Sequence, residues 1–104
     1  MAHVLDRLYE TIASRRSTDP EKSYTARLLN EGVERCAKKF GEEAVETALA
    51  AMKADKAAIA HESADVLYHL MVLWAACGVE PARVYAALEA REGRSGLEEK
   101  ASRR

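Results

Sequence analysis

The sequence contains few residues of the kinds that bind zinc or break helices. Only two of its 104 residues are cysteine, Cys36 and Cys77, and no CxxC or Cys/His pattern accompanies them, which argues against a zinc site. Two prolines and five glycines leave long segments without a helix breaker. Because alanine is abundant and apolar residues recur at helical spacing, the sequence predicts an all-α fold.

Charge and hydropathy exclude two kinds of partner. The formal net charge is -1, so the chain has no overall attraction for nucleic acid. The most apolar run, residues 66–79, is too short to span a bilayer and contains His69, so we expect no membrane partner. The first residues lack a basic region followed by an apolar one, so we expect no signal peptide. Two lone cysteines then fit a reduced, cytoplasmic protein.

Helical periodicity divides the chain, which we interpret as one domain over residues 1–104, into four helical regions. These regions are predicted at about 2–14, 25–53, 56–77 and 80–93, the second of them bent or interrupted near 30–32. Helix 56–77 is apolar nearly all round from residue 66 onwards, so we expect it to be buried in a bundle that further helices or a second subunit complete. Residues 94–104 form a polar tail.

Two pairs of carboxylates lie symmetrically about a predicted turn. Glu43 and Glu46 are three residues apart, and so are Glu62 and Asp65, so each pair shares one helix face. The midpoint between 43 and 65 and the midpoint between 46 and 62 are both position 54. Turn chemistry independently places a turn there, with Asp55 as the N-cap of the next helix. An antiparallel helical hairpin would therefore set Glu43 against Asp65 and Glu46 against Glu62.

Four carboxylates packed together repel one another unless a cation joins them, so the pattern indicates a metal site. The plainer interpretation is a solvated acidic face, since glutamate is common on exposed helices. Asp65 argues against a solvated face, because it is the only Asp, Glu, Lys or Arg between Ser63 and Val79 and so lies in an apolar run where an unpaired charge is costly. Carboxylates alone suit Mg²⁺, Mn²⁺ or Ca²⁺, and Mg²⁺ usually binds together with substrate phosphates. A di-iron site fails, because Leu49 stands where a Glu-x-x-His pair starting at Glu46 needs histidine.

Charged residues next to the acidic pairs have predicted roles. Lys39, one turn before Glu43, and Arg94 in the tail are candidates for phosphate contacts, and the alternative for each is an ordinary surface charge. Glu42 lies about 100° round the helix from Glu43. We therefore predict that Glu42 acts as a base that orients water rather than as a further metal ligand.

Three residues near the cluster, His69, Tyr68 and Gly41, carry no fixed charge, and their roles stay open. His69, four residues after Asp65, is expected to hydrogen-bond that carboxylate or to serve a structural role, and Tyr68 is expected to pack. Gly41 inside a predicted helix costs about 1 kcal/mol relative to alanine. Tight helix packing and the close approach of a ligand explain this glycine equally well.

The motifs resemble those of a known group. Glu42-Glu43-x-x-Glu46 followed by Glu62-x-x-Asp65 resembles the acidic signature of the MazG-like all-α nucleotide pyrophosphohydrolases. Within that group, the chain is most similar to the phosphoribosyl-ATP pyrophosphohydrolase family of histidine biosynthesis. This closer similarity rests on Ser23-Tyr24-Thr25, Lys39-x-Gly41-Glu42-Glu43, Ala64-Asp65-x-Leu67-Tyr68-His69-Leu70 and Arg94-Ser95-Gly96-Leu97.

The resemblance implies Mg²⁺-dependent hydrolysis of phosphoribosyl-ATP to phosphoribosyl-AMP and pyrophosphate, by a helical bundle assembled as a homodimer or higher homo-oligomer. Two alternatives stay open. A house-cleaning pyrophosphohydrolase acting on dUTP, dCTP or non-standard nucleotides would share the acidic motif. A non-catalytic helical interaction module would carry the same residues as a solvated acidic face.

Overall fold

The computed structural model describes residues 3–93 and 96–103, and it contains helices and no strand within those residues. The all-α prediction is therefore confirmed. The helices are α1 (Val4–Ser14), α2 (Tyr24–Glu31), α3 (Val33–Met52), α4 (Lys56–Cys77), α5 (Pro81–Ala90) and α6 (Gly96–Ser102), with a short 3-10 turn at Arg15–Ser17. The sequence did not predict α6, because a short polar helix has no apolar stripe to reveal it.

Local chemistry sets the boundaries of α2. The hydroxyl oxygen of Ser23 accepts a hydrogen bond of 3.1 Å from the amide of Ala26, which is the N-cap interaction that the sequence suggests. Gly32 has φ = +99°, a backbone conformation that side chains rarely adopt, and it separates α2 from α3. The predicted interruption near residues 30–32 is thus confirmed.

The two longest helices, α3 and α4, form the predicted antiparallel hairpin. Asp55 caps α4 through a hydrogen bond of 3.0 Å from the amide of Ala58. Ala54, at the centre of the turn, has φ = +56°. The hydroxyl of Thr47 lies 2.9 Å from the carbonyl oxygen of Glu43 and 3.2 Å from that of Glu62. Because the second contact crosses to α4, Thr47 ties the middle of the hairpin together.

The hydrophobic core lies against the C-terminal half of α4. Helices α1, α2 and α3 all pack on α4. The buried core residues are Ile12, Leu28, Cys36, Met71, Val72 and Ala75. Two tyrosine hydroxyls link α1 to the residues after α4. Tyr9 of α1 donates to the carbonyl of Val79 at 3.2 Å, and Tyr85 of α5 donates to Asp6 of α1 at 3.0 Å. The N-terminal half of α4 carries Glu62 and Asp65 and contacts α3 through Thr47.

Helix α3 carries an exposed apolar stripe. Val45, Leu49 and Met52 are 59%, 55% and 83% exposed, and their spacing places them on one side of the helix. Across the described residues, no helix combines the length and the apolar character needed to cross a membrane.

Candidate metal centre

The α3–α4 hairpin brings three of the predicted carboxylates together. One oxygen from each of Glu43, Glu62 and Asp65 can be chosen so that all three lie within 4.8 Å of one another. Glu43 comes from α3, and the other two come from adjacent turns of α4. The Asp55 turn and the Thr47 bridge set the register that makes these residues face each other.

Glu46 lies beside this group rather than within it. It is exposed. Hydrogen bonding between the carboxyls of Glu46 and Glu43, which needs a proton on one of them, raises the pKa of Glu43 above its ordinary value. Burial and the charges of Glu46 and Asp65 shift the pKa of Glu43 further in the same direction, while Lys39 opposes them. The carboxylates are therefore crowded enough to favour a bound proton or a cation.

One buried carboxylate oxygen of this group has no hydrogen-bond partner among the described residues. Glu62 Oε2 is buried, and no hydrogen bond reaches it from the part of the chain that the structure describes. A buried anionic oxygen without a partner is costly unless a cation or a donor compensates it. Three converging carboxylates, one of them with such an oxygen, match the all-oxygen ligand set that Mg²⁺ and Mn²⁺ prefer. The residues present fit a hard divalent cation.

Lys39 is the basic residue at this cluster. Its ammonium lies 3.5 Å from Glu42 and 3.9 Å from Glu43. The phenol oxygen of Tyr24 contributes most to raising the pKa of Lys39, the two carboxylates add to the shift, and burial opposes it. The Glu42 side chain is 49% exposed and faces Lys39 rather than the three converging carboxylates. Arg94, the other predicted phosphate contact, lies outside the described residues.

Gly41 is exposed on α3, next to Glu42. A Cβ atom built on Gly41 would meet no heavy atom within 4 Å in the described structure. Packing within the chain therefore does not require a glycine here. Of the two interpretations of Gly41, close packing inside the monomer is not supported, and the approach of another molecule remains a prediction.

His69 faces a different carboxylate from the one that the spacing suggests. Its Nε2 lies 3.9 Å from Glu43 Oε1, across the hairpin, and its side chain is 7% exposed. The imidazole that lies near Asp65 is that of His61, 4.0 Å away and 80% exposed. Both histidines are four residues from Asp65, so sequence spacing alone does not choose between them. The choice follows from the face of α4 that α3 covers.

Burial controls the protonation of His69 and of its neighbour. Burial lowers the pKa of His69, the charge of Lys39 lowers it further, and Asp65 and Glu42 oppose this shift. Burial also raises the pKa of Tyr68, whose hydroxyl is hydrogen-bonded to the hydroxyl of Thr25. Burial and Lys39 thus favour the neutral imidazole of His69, and Tyr68 forms a hydrogen bond in addition to packing.

Sequence reasoning missed two contributors to this centre. Thr47 bridges the hairpin, and Tyr24 meets the ring of His69 edge to face and influences the charge of Lys39. Thr47 lies opposite Glu62 at nearly the same symmetric spacing as the carboxylates, so the hairpin register could have identified it. Tyr24 depends on how α2 folds back, which spacing along α3 and α4 does not reveal.

The fold and the centre together define an all-α protein that gathers carboxylates and a lysine on one helical hairpin. Residues 5–92 match the family model described as phosphoribosyl-ATP pyrophosphohydrolase. The chain belongs to this family of hydrolases, as the motifs predict.

Curated relatives agree with this assignment over nearly the whole chain. A phosphoribosyl-ATP pyrophosphatase of Azospirillum brasilense is 58% identical over 103 residues, which cover 99% of this chain and 93% of the relative. The protein of the same name from Paramagnetospirillum magneticum is 59% identical over 100 residues, covering 96% and 92%. A third, from Parvibaculum lavamentivorans, is 59% identical over 102 residues, covering 98% and 94%.

Proposed function

We propose that this chain hydrolyses phosphoribosyl-ATP to phosphoribosyl-AMP and pyrophosphate, a step of histidine biosynthesis. The family membership and the names of the relatives support the reaction. The observation that carries the proposal is the convergence of Glu43, Glu62 and Asp65 within 4.8 Å on the α3–α4 hairpin. These products require cleavage of one phosphoric anhydride bond by one molecule of water.

We assign the metal to the four carboxylates predicted from the sequence. Glu43, Glu62 and Asp65 would hold Mg²⁺, or Mn²⁺ in its place, and Glu46 would join them through its contact with Glu43. The cation would supply positive charge against the phosphate oxygens and polarise water. The unpartnered Glu62 Oε2 supports this assignment, because its negative charge is otherwise uncompensated in a buried position.

The residues beside the metal ligands would bind and orient the reactants. Lys39 has three N–H donors and already sits between Glu42 and Glu43, so it can pair with a phosphate at the edge of the cluster. Glu42 is exposed and acceptor-only when ionised, which suits a carboxylate that orients water. Arg94 remains a proposed phosphate contact on the basis of the sequence.

We also propose that the active protein is a homodimer or higher homo-oligomer assembled through the stripe of Val45, Leu49 and Met52. A chain of 104 residues buries a modest core, and three large apolar side chains on one helix face favour burial against a second copy. The free thiols of Cys36 and Cys77, together with a small-molecule substrate of amino-acid biosynthesis, support a cytoplasmic location.

The reaction is tested by measuring pyrophosphate release from phosphoribosyl-ATP with and without Mg²⁺. We expect release that requires the cation and falls sharply when dUTP or dCTP replaces the substrate. Release from a free deoxynucleotide, but not from phosphoribosyl-ATP, would assign the chain to the house-cleaning class instead. No release from any nucleotide, with no Mg²⁺ or Mn²⁺ binding by calorimetry, would favour the non-catalytic module.

A further inference from the structure

The buried imidazole of His69 occupies an unusual position in this centre. The residue is 6% exposed, and Nε2 faces Glu43 Oε1 at 3.9 Å. Nδ1, on the other side of the ring, is buried without a hydrogen-bond partner among the residues described. A polar side chain buried this deeply, with one nitrogen aimed at a carboxylate of the cluster, needs a physical explanation.

The two environments decide which nitrogen carries the proton. A neutral imidazole has one N–H donor and one lone-pair acceptor. Orphaned buried N–H donors are rarer in proteins than under-satisfied acceptors, so the proton belongs on the nitrogen that faces an acceptor. That nitrogen is Nε2, because Glu43 is an acceptor and nothing described accepts from Nδ1. His69 therefore directs its only N–H towards Glu43.

Two tyrosines fix the orientation of this ring. Tyr68 meets His69 edge to face, with ring centroids 4.9 Å apart and an interplanar angle of 78°. Tyr24 meets it at 6.2 Å and 87°. The hydroxyl of Tyr68 is hydrogen-bonded to Thr25, at the beginning of α2. The Ser-Tyr-Thr and Tyr-His segments of the sequence thus converge on one imidazole.

We propose that His69 is a positioning residue, which points its Nε2–H at Glu43 across 3.9 Å and by this electrostatic contact holds that carboxylate towards Glu62 and Asp65, while the Thr25–Tyr68 pair keeps the imidazole in place. The inference rests on the proposed metal function of these carboxylates. Carboxylates that bind metals are themselves held by hydrogen bonds, and loss of such a partner typically weakens metal binding about 10- to 100-fold.

The test compares His69→Gln with His69→Asn in the full chain, using Mn²⁺ titration of the metal-free protein. The terminal nitrogen of glutamine reaches the position of Nε2, whereas that of asparagine reaches only Nδ1. We expect His69→Asn to bind Mn²⁺ about 10-fold more weakly than the wild type, and His69→Gln to recover most of the affinity. Circular dichroism and Tm establish that each variant is folded. Equal affinities for the two folded variants would overturn the proposal, because only the glutamine amide reaches Glu43 from the position of Nε2.

Removal of one hydroxyl supplies a second test that leaves the rings in place. Tyr68→Phe should weaken Mn²⁺ binding, and Thr25→Val should weaken it to a similar extent. The double variant should bind Mn²⁺ no more weakly than either single variant, since both substitutions remove the same hydrogen bond. Tyr85→Phe is the matched control, because its hydroxyl binds Asp6 on α1, and its Mn²⁺ affinity should equal that of the wild type. If His69→Asn does not fold, the Mn²⁺ affinity of Tyr68→Phe relative to the wild type decides the role of His69.

The titration also separates failure of this inference from failure of the metal site. A wild type that binds no Mn²⁺ would overturn both. A wild type that binds Mn²⁺, with folded His69→Asn or Tyr68→Phe binding it equally well, would overturn the role of His69 alone.

Discussion

Replacement of Asp65 by asparagine should stabilise the metal-free protein and abolish its stabilisation by metal. In the absence of a cation, Asp65 has carboxylate neighbours at Glu43 and Glu62, with ligand oxygens within 4.8 Å. Like charges at this distance repel, and the amide of asparagine carries no charge. The same change removes a proposed metal ligand, so the variant should lose the stabilisation that a bound cation gives the wild type.

The size of the effect follows from the distance and the exposure. Two unit charges 4.8 Å apart repel by about 3.5 kcal/mol at an effective dielectric constant of about 20, and by about 0.9 kcal/mol in bulk water. The Asp65 side chain is 46% exposed, so solvent screening brings the gain to about 1–2 kcal/mol. Loss of its contact with the exposed His61 subtracts little. For a domain of this size, the Tm should rise by about 4–16 °C.

Thermal unfolding with chelator and with excess Mn²⁺ measures both effects. At a cation concentration about 100 times the Kd, binding stabilises the wild type by about 2.7 kcal/mol. Asp65→Asn should therefore unfold at a higher temperature than the wild type in chelator and at a lower one in Mn²⁺. All samples need the same protein concentration, because assembly would make the Tm depend on it.

The control is Glu34→Gln, which removes an exposed carboxylate from the beginning of α3. Its free energy of unfolding should change by no more than about 0.5 kcal/mol in either buffer. A lower Tm for Asp65→Asn in chelator would show that the carboxylates do not repel as the structure indicates. Equal stabilisation of both proteins by Mn²⁺ would show that Asp65 is not a ligand.

Further predictions concern the reaction, its pH dependence, assembly and folding. Glu46→Gln should abolish Mg²⁺-dependent pyrophosphate release with its helical circular dichroism unchanged, and full activity would remove Glu46 from the site. Because the pKa of Glu43 is raised, the stability it contributes to the metal-free protein is present at low pH and lost as pH rises through that pKa. Mn²⁺ affinity should change in the opposite sense and weaken towards acid pH, as titrations between pH 5 and 8 can check. If the proposed oligomer forms through the stripe, Leu49→Glu should convert it to monomer in sedimentation, whereas Glu34→Gln should not. Ser23→Ala should cost about 1 kcal/mol in denaturant unfolding, through loss of the cap on α2.

The hairpin could be predicted because its determinants are local. A capping aspartate, a turn and helical spacing each act over a few residues, and together they fix which residues of α3 and α4 face each other. Asp55 caps α4 as expected, and α4 itself runs over the predicted residues 56–77. The convergence of Glu43, Glu62 and Asp65 follows from that register.

The surroundings of the carboxylates could not be predicted in the same way. Spacing places histidines four residues on either side of Asp65, but only the packing of α3 and α2 decides that His69 is buried and His61 is not. The position of Tyr24 depends on how α2 returns to the hairpin after the 3-10 turn. Long-range packing supplies this information, and the periodicity of a single helix does not contain it.

Helix α3 places the candidate site and the apolar stripe next to each other. Val45 and Glu46 are consecutive, and Leu49 lies one turn further along. A cavity of about 320 Å³ extends from Glu46 and Glu62 to Leu49, so the two surfaces share a boundary. A second copy docked on the stripe would exclude water from that boundary, and lower polarity strengthens both the repulsion among the carboxylates and their attraction for a cation. The proposed assembly and the proposed metal binding would therefore act on the same charges, and each should favour the other.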